Sequence, residues 1–119
     1  MKEIVILGAG GHARVVLDIC RALSQPVKGF VDPAFAAGTA VDGVTVLGND
    51  NLIDDPAFVA AHKFAVAIGE MLLRQRSFER LKALRAEMPA LIHPFSAISQ
   101  SVKVGAATVV MGGAVINNG

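Results

Sequence analysis

The sequence predicts an α/β fold: a small parallel sheet flanked by helices, followed by the first coils of a parallel β-helix. Three observations carry this. Short aliphatic runs at Ile4–Leu7, Val27–Val31 and Phe64–Ile68 are each followed by glycine or aspartate, as expected for the buried strands of a parallel sheet. The stretches between them carry apolar residues at helical spacing. From Ile92 onward the apolar period changes to six.

The elements come in order. After Leu7 comes Gly8-Ala9-Gly10-Gly11-His12. From Ala13 to Leu23 the apolar residues are Val15, Val16, Ile19, Cys20 and Leu23, with Arg14, Asp18 and Arg21 between them. That spacing predicts a helix, ended by Gln25-Pro26. The second strand closes on Asp32-Pro33. An Ala- and Gly-rich loop is expected from Ala34 to Gly43, then a short extended piece from Val44 to Leu47 before Gly48. Asp55-Pro56 reads as an N-cap followed by proline at the first helical position, opening a short helix to Ala61. The third strand leads to Gly69-Glu70. A longer helix is expected from Leu72 to Glu87, with Leu73, Phe78, Leu81, Leu84 and Met88 as its apolar stripe. Strands alternating with helices imply right-handed βαβ units and a parallel, Rossmann-like sheet.

Pro89 breaks this pattern. Ile92, Ile98, Val104, Val110 and Ile116 then recur every six residues, and small residues (Ser96, Val102, Thr108 and Ala114) come four places after the first four. No helix or hairpin has that period. It marks a parallel β-helix in which each hexad gives one short strand and a turn, and each aliphatic residue stacks on its equivalent one coil away. The boundary falls near Pro89 to His93, giving a first domain over 1–90 and an incomplete β-helix over 91–119. Repeat folds need several stacked coils, so the expectation is that the natural protein is longer.

Composition narrows the function. Eleven basic residues against ten acidic leave a net charge of +1, with no clustered basic footprint for nucleic acid. The basic residues from Arg74 to Arg85 have helical spacing and read as a solvated face. The single cysteine, Cys20, excludes an internal disulfide and sits on the apolar side of a helix. The N-terminus lacks a signal-peptide pattern, and no apolar run reaches bilayer length. A cytoplasmic location is expected. No set of side chains has metal-ligand spacing.

The glycine-rich loop is the leading candidate site. Gly8, Gly10 and Gly11 between a strand and a helix let a phosphate approach the helix N-terminus, where free N–H groups point at it. His12 opens the helix and could meet a phosphate oxygen or line a sugar pocket. Asp32 ends the second strand, twenty-one residues after Gly11, where a carboxylate can accept from a ribose or base. Gly69 lies at the same sheet edge and suggests close backbone approach; Glu70 beside it is also compatible with the acidic first turn of a helix. The loop also fits the dinucleotide pattern G-x-G-x-x-G/A, but the domain ends after half of a dinucleotide fold, which favours a mononucleotide-sized ligand.

Val5-Ile6-Leu7-Gly8-Ala9-Gly10-Gly11-His12-Ala13-Arg14-Val15-Val16 resembles the opening of the sialic-acid O-acetyltransferase-like family, which includes bacterial nucleotide-sugar acetyltransferases. Gly29-Phe30-Val31-Asp32, Asp42-Gly43-Val44-Thr45-Val46-Leu47-Gly48, and Ala67-Ile68-Gly69-Glu70 with Arg74 resemble its second strand, linker and third-strand motif. Ile92-His93-Pro94 with Ser96 and Ala97 is similar to its entry into a left-handed hexapeptide β-helix. The resemblance implies a first domain that holds a nucleotide-linked amino sugar. It implies a β-helix that forms a homotrimer and binds the co-substrate acetyl-CoA between subunits. A histidine on a later coil would act as general base, beyond Ile116-Asn117, so no catalytic residue is assigned in this chain and His93 is not promoted to that role. Substrate-binding roles carry over to Gly10, Gly11, His12, Asp32 and Gly69. Pro33 departs from the polar residue that many relatives carry there. The alternatives are a non-catalytic nucleotide-binding module and a fragment of an NAD-dependent oxidoreductase.

Overall fold

Why the first strand forms is visible in its side chains. In β1 (Ile4–Leu7) all four residues are buried. Ile4 and Ile6 join one apolar cluster, while Val5 and Leu7 join another on the opposite face. This is the two-residue alternation of a strand covered on both sides. Each such side chain contributes about 1.5–3 kcal/mol by leaving water. The computed structural model describes residues 2–92 together with the strand pairs 97–98, 109–110 and 115–116.

The first face is covered by α1 (Gly11–Ala22), which buries Ala13, Val16, Leu17, Ile19 and Cys20. The helix begins two residues earlier than its apolar stripe suggests, because Gly11 and His12 already belong to it. Burial raises the Cys20 thiol to about 11. β2 (Val27–Val31) pairs in parallel with β1.

The expected loop over Ala34–Gly43 contains an unforeseen strand. β3 (Ala40–Val41) pairs antiparallel with β4 (Val44–Gly48), Val41 opposite Val44. The connecting residues Asp42 and Gly43 both have positive φ, 49° and 79°, as a two-residue hairpin turn requires. Arg21 Nη2 donates to the Asp42 carbonyl at 2.6 Å and ties this turn to α1.

After a 3-10 turn (Asp50–Asp54) comes α2 (Pro56–Ala61), with the bounds its sequence predicts. Asp55 caps it, accepting from the Ala57 N–H at 3.0 Å. β5 (Lys63–Val66) pairs in parallel with the other side of β1. α3 (Met71–Ala83) is shorter than expected. The chain reverses at Arg85, with φ 56°, and Glu87 forms a parallel bridge to Lys63. The predicted stripe therefore splits. Leu81 and Met88 are buried, whereas Leu73 and Leu84 are 46% and 43% exposed.

The five strands run in the order β3-β4-β2-β1-β5. β2 and β5 leave β1 in opposite directions, so the carboxyl end of β1 is the switch point at which open α/β sheets form a crevice.

Four two-residue strands lie beyond: β6 (Leu91–Ile92), β7 (Ala97–Ile98), β8 (Val109–Val110) and β9 (Val115–Ile116). They pair in parallel, Ile92 with Val110 and Ile98 with Ile116. Both pairs join hexad positions eighteen residues apart, three hexads to the coil. Leu91 is buried in the cluster under α1. His93 and the small hexad residues Ser96, Val102, Thr108 and Ala114 lie outside the described residues.

Candidate functional site

The switch point opens into a cleft of about 420 Å³. Gly10, Gly11, His12, Asp32 and Gly69, the five residues singled out from sequence, all line it. So do Gly8, Pro33, Ala34, Asp50, Ile68 and Leu73.

The position of the glycine loop is set from both sides. Gly8 N–H donates to the Val31 carbonyl at 2.9 Å, and Ala67 N–H to the Leu7 carbonyl at 2.8 Å. Gly8 has φ +106°, and a Cβ there would stand 2.5 Å from the Ala67 carbonyl oxygen. Only glycine fits that combination. Gly69, by contrast, lines the cleft without crowding from the protein. A Cβ at Gly69 would meet nothing within 4 Å.

Gly10 and Gly11 serve differently. A Cβ at either would meet nothing within 4 Å, so their missing side chains leave open space in the cleft. Gly10 is the N-cap of α1 and supplies no side-chain acceptor. The first N–H groups of the helix thus face the cleft uncapped, carrying the positive end of the helix dipole. His12, partly buried, is the second residue of this helix.

Asp32 is more constrained than its place in the sequence implies. Its Oδ2 accepts from the Ala9 N–H and its Oδ1 from the Ala34 N–H, both at 2.9 Å. The carboxylate pins the glycine loop to the turn after β2.

Asp50 was not visible from linear spacing. Phe30 pairs with Val46 but Val31 with Gly48, leaving Leu47 as an extra residue in β4. Such a bulge bends its strand and re-aims the residues beyond it. Asn49 then caps the 3-10 turn, accepting from the Asn51 N–H at 2.9 Å, and Asp50 arrives at the cleft wall.

Glu70 takes the blander of its two readings. It caps α3, accepting from the Leu73 N–H at 2.7 Å and the Leu72 N–H at 3.1 Å. Those bonds, Leu73's first, hold its carboxyl below the usual range. His62 also has a local partner. Its Nδ1 lies 2.8 Å from the Phe58 carbonyl, and its ring packs on Phe58. The cleft lining contains two carboxylates and no Lys or Arg. An anion there would meet backbone N–H groups and His12. Among the described residues no group of three His, Cys, Asp or Glu side chains could hold a metal ion, and no helix is long and apolar enough to cross a membrane.

The sequence profile of the PglD N-terminal domain matches residues 3–81. The chain belongs to the PglD N-terminal domain family. Known members and neighbours agree with the acetyltransferase resemblance read from the sequence. The chain is 29% identical over 119 residues to UDP-N-acetylbacillosamine N-acetyltransferase of Bacillus subtilis (strain 168), covering 93% of this chain and 52% of that protein. Perosamine N-acetyltransferase from Caulobacter crescentus, solved as a variant with CoA and GDP-perosamine, superposes with a TM-score of 0.87 at 34% identity, covering 98% of this chain and 55% of that one. The acetyltransferase domain of PglB from Neisseria gonorrhoeae gives 0.86 at 31% identity, with coverages of 97% and 56%. The chain thus spans about half the length of these relatives.

Proposed function

We propose that this chain is the nucleotide-sugar-binding part of an acetyltransferase that moves an acetyl group from acetyl-CoA to an amine or hydroxyl of a nucleotide-linked sugar. The observation that carries the reading is the uncapped N-terminus of α1, opening into the cleft at the switch point with Gly10 and Gly11 leaving room beside it. A diphosphate is the ligand best matched to that geometry, because free N–H groups and the helix dipole both favour a compact anion. His12 donates a further hydrogen bond to a phosphate oxygen. Gly69 leaves space at the opposite wall, beside the β5 end. Asp32 keeps the loop in register and has lone pairs left for a ribose hydroxyl.

Residues 1–90 form this binding domain, and residues 91–119 begin a left-handed hexapeptide β-helix, supported by the eighteen-residue pairing register. The full enzyme is a cytoplasmic homotrimer of glycan biosynthesis. The attacking group gives up its proton to a histidine on a later coil, so none of His12, His62 and His93 is assigned that step. The ligands of the solved neighbours support acetyl-CoA as donor. One neighbour is solved with acetyl coenzyme A and another with CoA and GDP-perosamine.

Calorimetric titration of the chain with UDP, GDP and NAD⁺ tests the reading. A nucleoside diphosphate is expected to bind, and Gly11→Val to abolish binding while the fold survives, since its side chain enters open space. NAD⁺ binding without response to either diphosphate would replace this proposal with the dinucleotide alternative.

A further inference from the structure

Two acidic residues line the cleft, and they are not equivalent. Both oxygens of Asp32 are engaged by backbone N–H groups. Asp50 lines the same cleft and is exposed. Its carboxylate takes no hydrogen bond and no ion pair among the described residues, whose three ion pairs lie elsewhere. The bulge at Leu47 and the Asn49 cap hold the backbone that carries it.

Position decides what Asp50 can meet. β4 lies two strands from β1, a lateral step of about 10 Å at about 4.8 Å per strand. A diphosphate seated at the N-terminus of α1 would bring its ribose toward the end of β2, where Asp32 lines the same cleft. Its base would then extend along the cleft wall past Pro33 and Ala34, in the turn after β2, whose side chains are apolar. Asp50 follows β4, the strand beside β2 on the side away from β1, and lines the same cleft.

We propose that Asp50 reads the base of the nucleotide and that the base is guanine. This rests on the nucleotide reading above and adds the substrate class to it. A carboxylate only accepts hydrogen bonds. Guanine sets N1–H and N2–H₂ side by side on one edge, so both oxygens can be satisfied in parallel, the arrangement that makes such pairs strong. Uracil and thymine offer one N–H between two carbonyl oxygens, which a carboxylate repels. Adenine and cytosine each place an acceptor nitrogen beside the amino group. One side chain therefore attracts guanine and rejects the others.

The experiment is competitive calorimetry of the chain with GDP, IDP, UDP and dTDP, repeated with Asp50→Asn. IDP keeps N1–H and lacks the exocyclic amine. GDP is expected to bind tighter than each of the others by about tenfold or more, the size of one hydrogen bond to a charged group. Asp50→Asn is expected to weaken GDP by a similar factor and to shrink the GDP-over-IDP preference, with an unchanged melting temperature. UDP or dTDP binding as tightly as GDP would overturn the proposal, as would a full guanine preference in Asp50→Asn. The wild-type ranking decides even if the variant fails to fold. Binding of no diphosphate at all would instead remove the nucleotide reading, and this proposal with it.

Discussion

α1 and α3 begin alike and end up opposite. Each comes after a parallel strand of the same sheet, each starts beside a glycine, and both contribute to the wall of one cleft. α1 is capped by Gly10, which has no side chain to offer its first N–H groups. α3 is capped by Glu70, which takes two of them. The packing inverts as well. α1 buries five residues against the sheet, while α3 buries only Leu81 and leaves Met71, Leu72 and Leu73 exposed at its start. The better-packed helix keeps its polar end open, and the looser one closes it. Burial holds α1 in place, so its terminus is free for a ligand. α3 has less burial to hold it and relies on its own cap.

The comparison can be broken most severely at Gly8, which lets α1 start where it does. Gly8→Val forces a branched side chain into φ +106° and against the Ala67 carbonyl. A loss of about 3 kcal/mol or more is expected, read as a lowered urea midpoint. A variant as stable as wild type would show that the junction is not fixed by this approach.

Making α1 resemble α3 is the sharper test. Gly10→Asp adds a capping carboxylate at a position whose φ of −85° suits any residue and where a Cβ meets no neighbour. Stability should rise by about 0.5 kcal/mol from the cap and the dipole. Nucleoside diphosphate affinity should fall by about tenfold or more through repulsion and occupied N–H groups. Opposite changes in the two measurements are the signature; a stabilised protein that still binds diphosphate fully would separate the helix terminus from the site.

The smallest effect is at Glu70. Backbone N–H bonds from Leu73 and Leu72 depress its folded-state pKa. Its ionised form therefore contributes stability above the unfolded-state pKa, and that contribution is lost as pH falls through the folded one. The stability difference between wild type and Glu70→Gln should be present at neutral pH and vanish in acid. A difference that is constant across that range would mean the cap does not depend on charge.

Much of the fold was legible in the sequence because it rests on local rules. The alternation in β1, the Asp55-Pro56 helix start and the period of six each arise from short-range geometry. That period reappears as pairing between Ile92 and Val110. The five cleft residues were readable for the same reason, as they sit where strands end. The features that were missed depend on contacts distant in sequence. β3 is two residues long in an Ala- and Gly-rich stretch, and only the Asp42-Gly43 pair signalled its hairpin. The apolar spacing runs through to Met88, while the helix stops at Ala83 so that Glu87 can reach Lys63. Asp50 reaches the cleft through a register slip between β2 and β4, which linear spacing does not encode. Pairing with Ala9 and Ala34 made Asp32 a tether, and nothing near it in the sequence announces the partner in the glycine loop.

Cys20 gives the molecule a reporter of its own motion. The chain's one thiol is wholly buried beneath α1, with its ionisation pushed up to about 11. A thiol reagent can reach it only when α1 lifts from the sheet, so the labelling rate counts those openings directly. A ligand that grips the N-terminus of that helix must slow the count, and one that binds elsewhere without stabilising α1 must leave it unchanged.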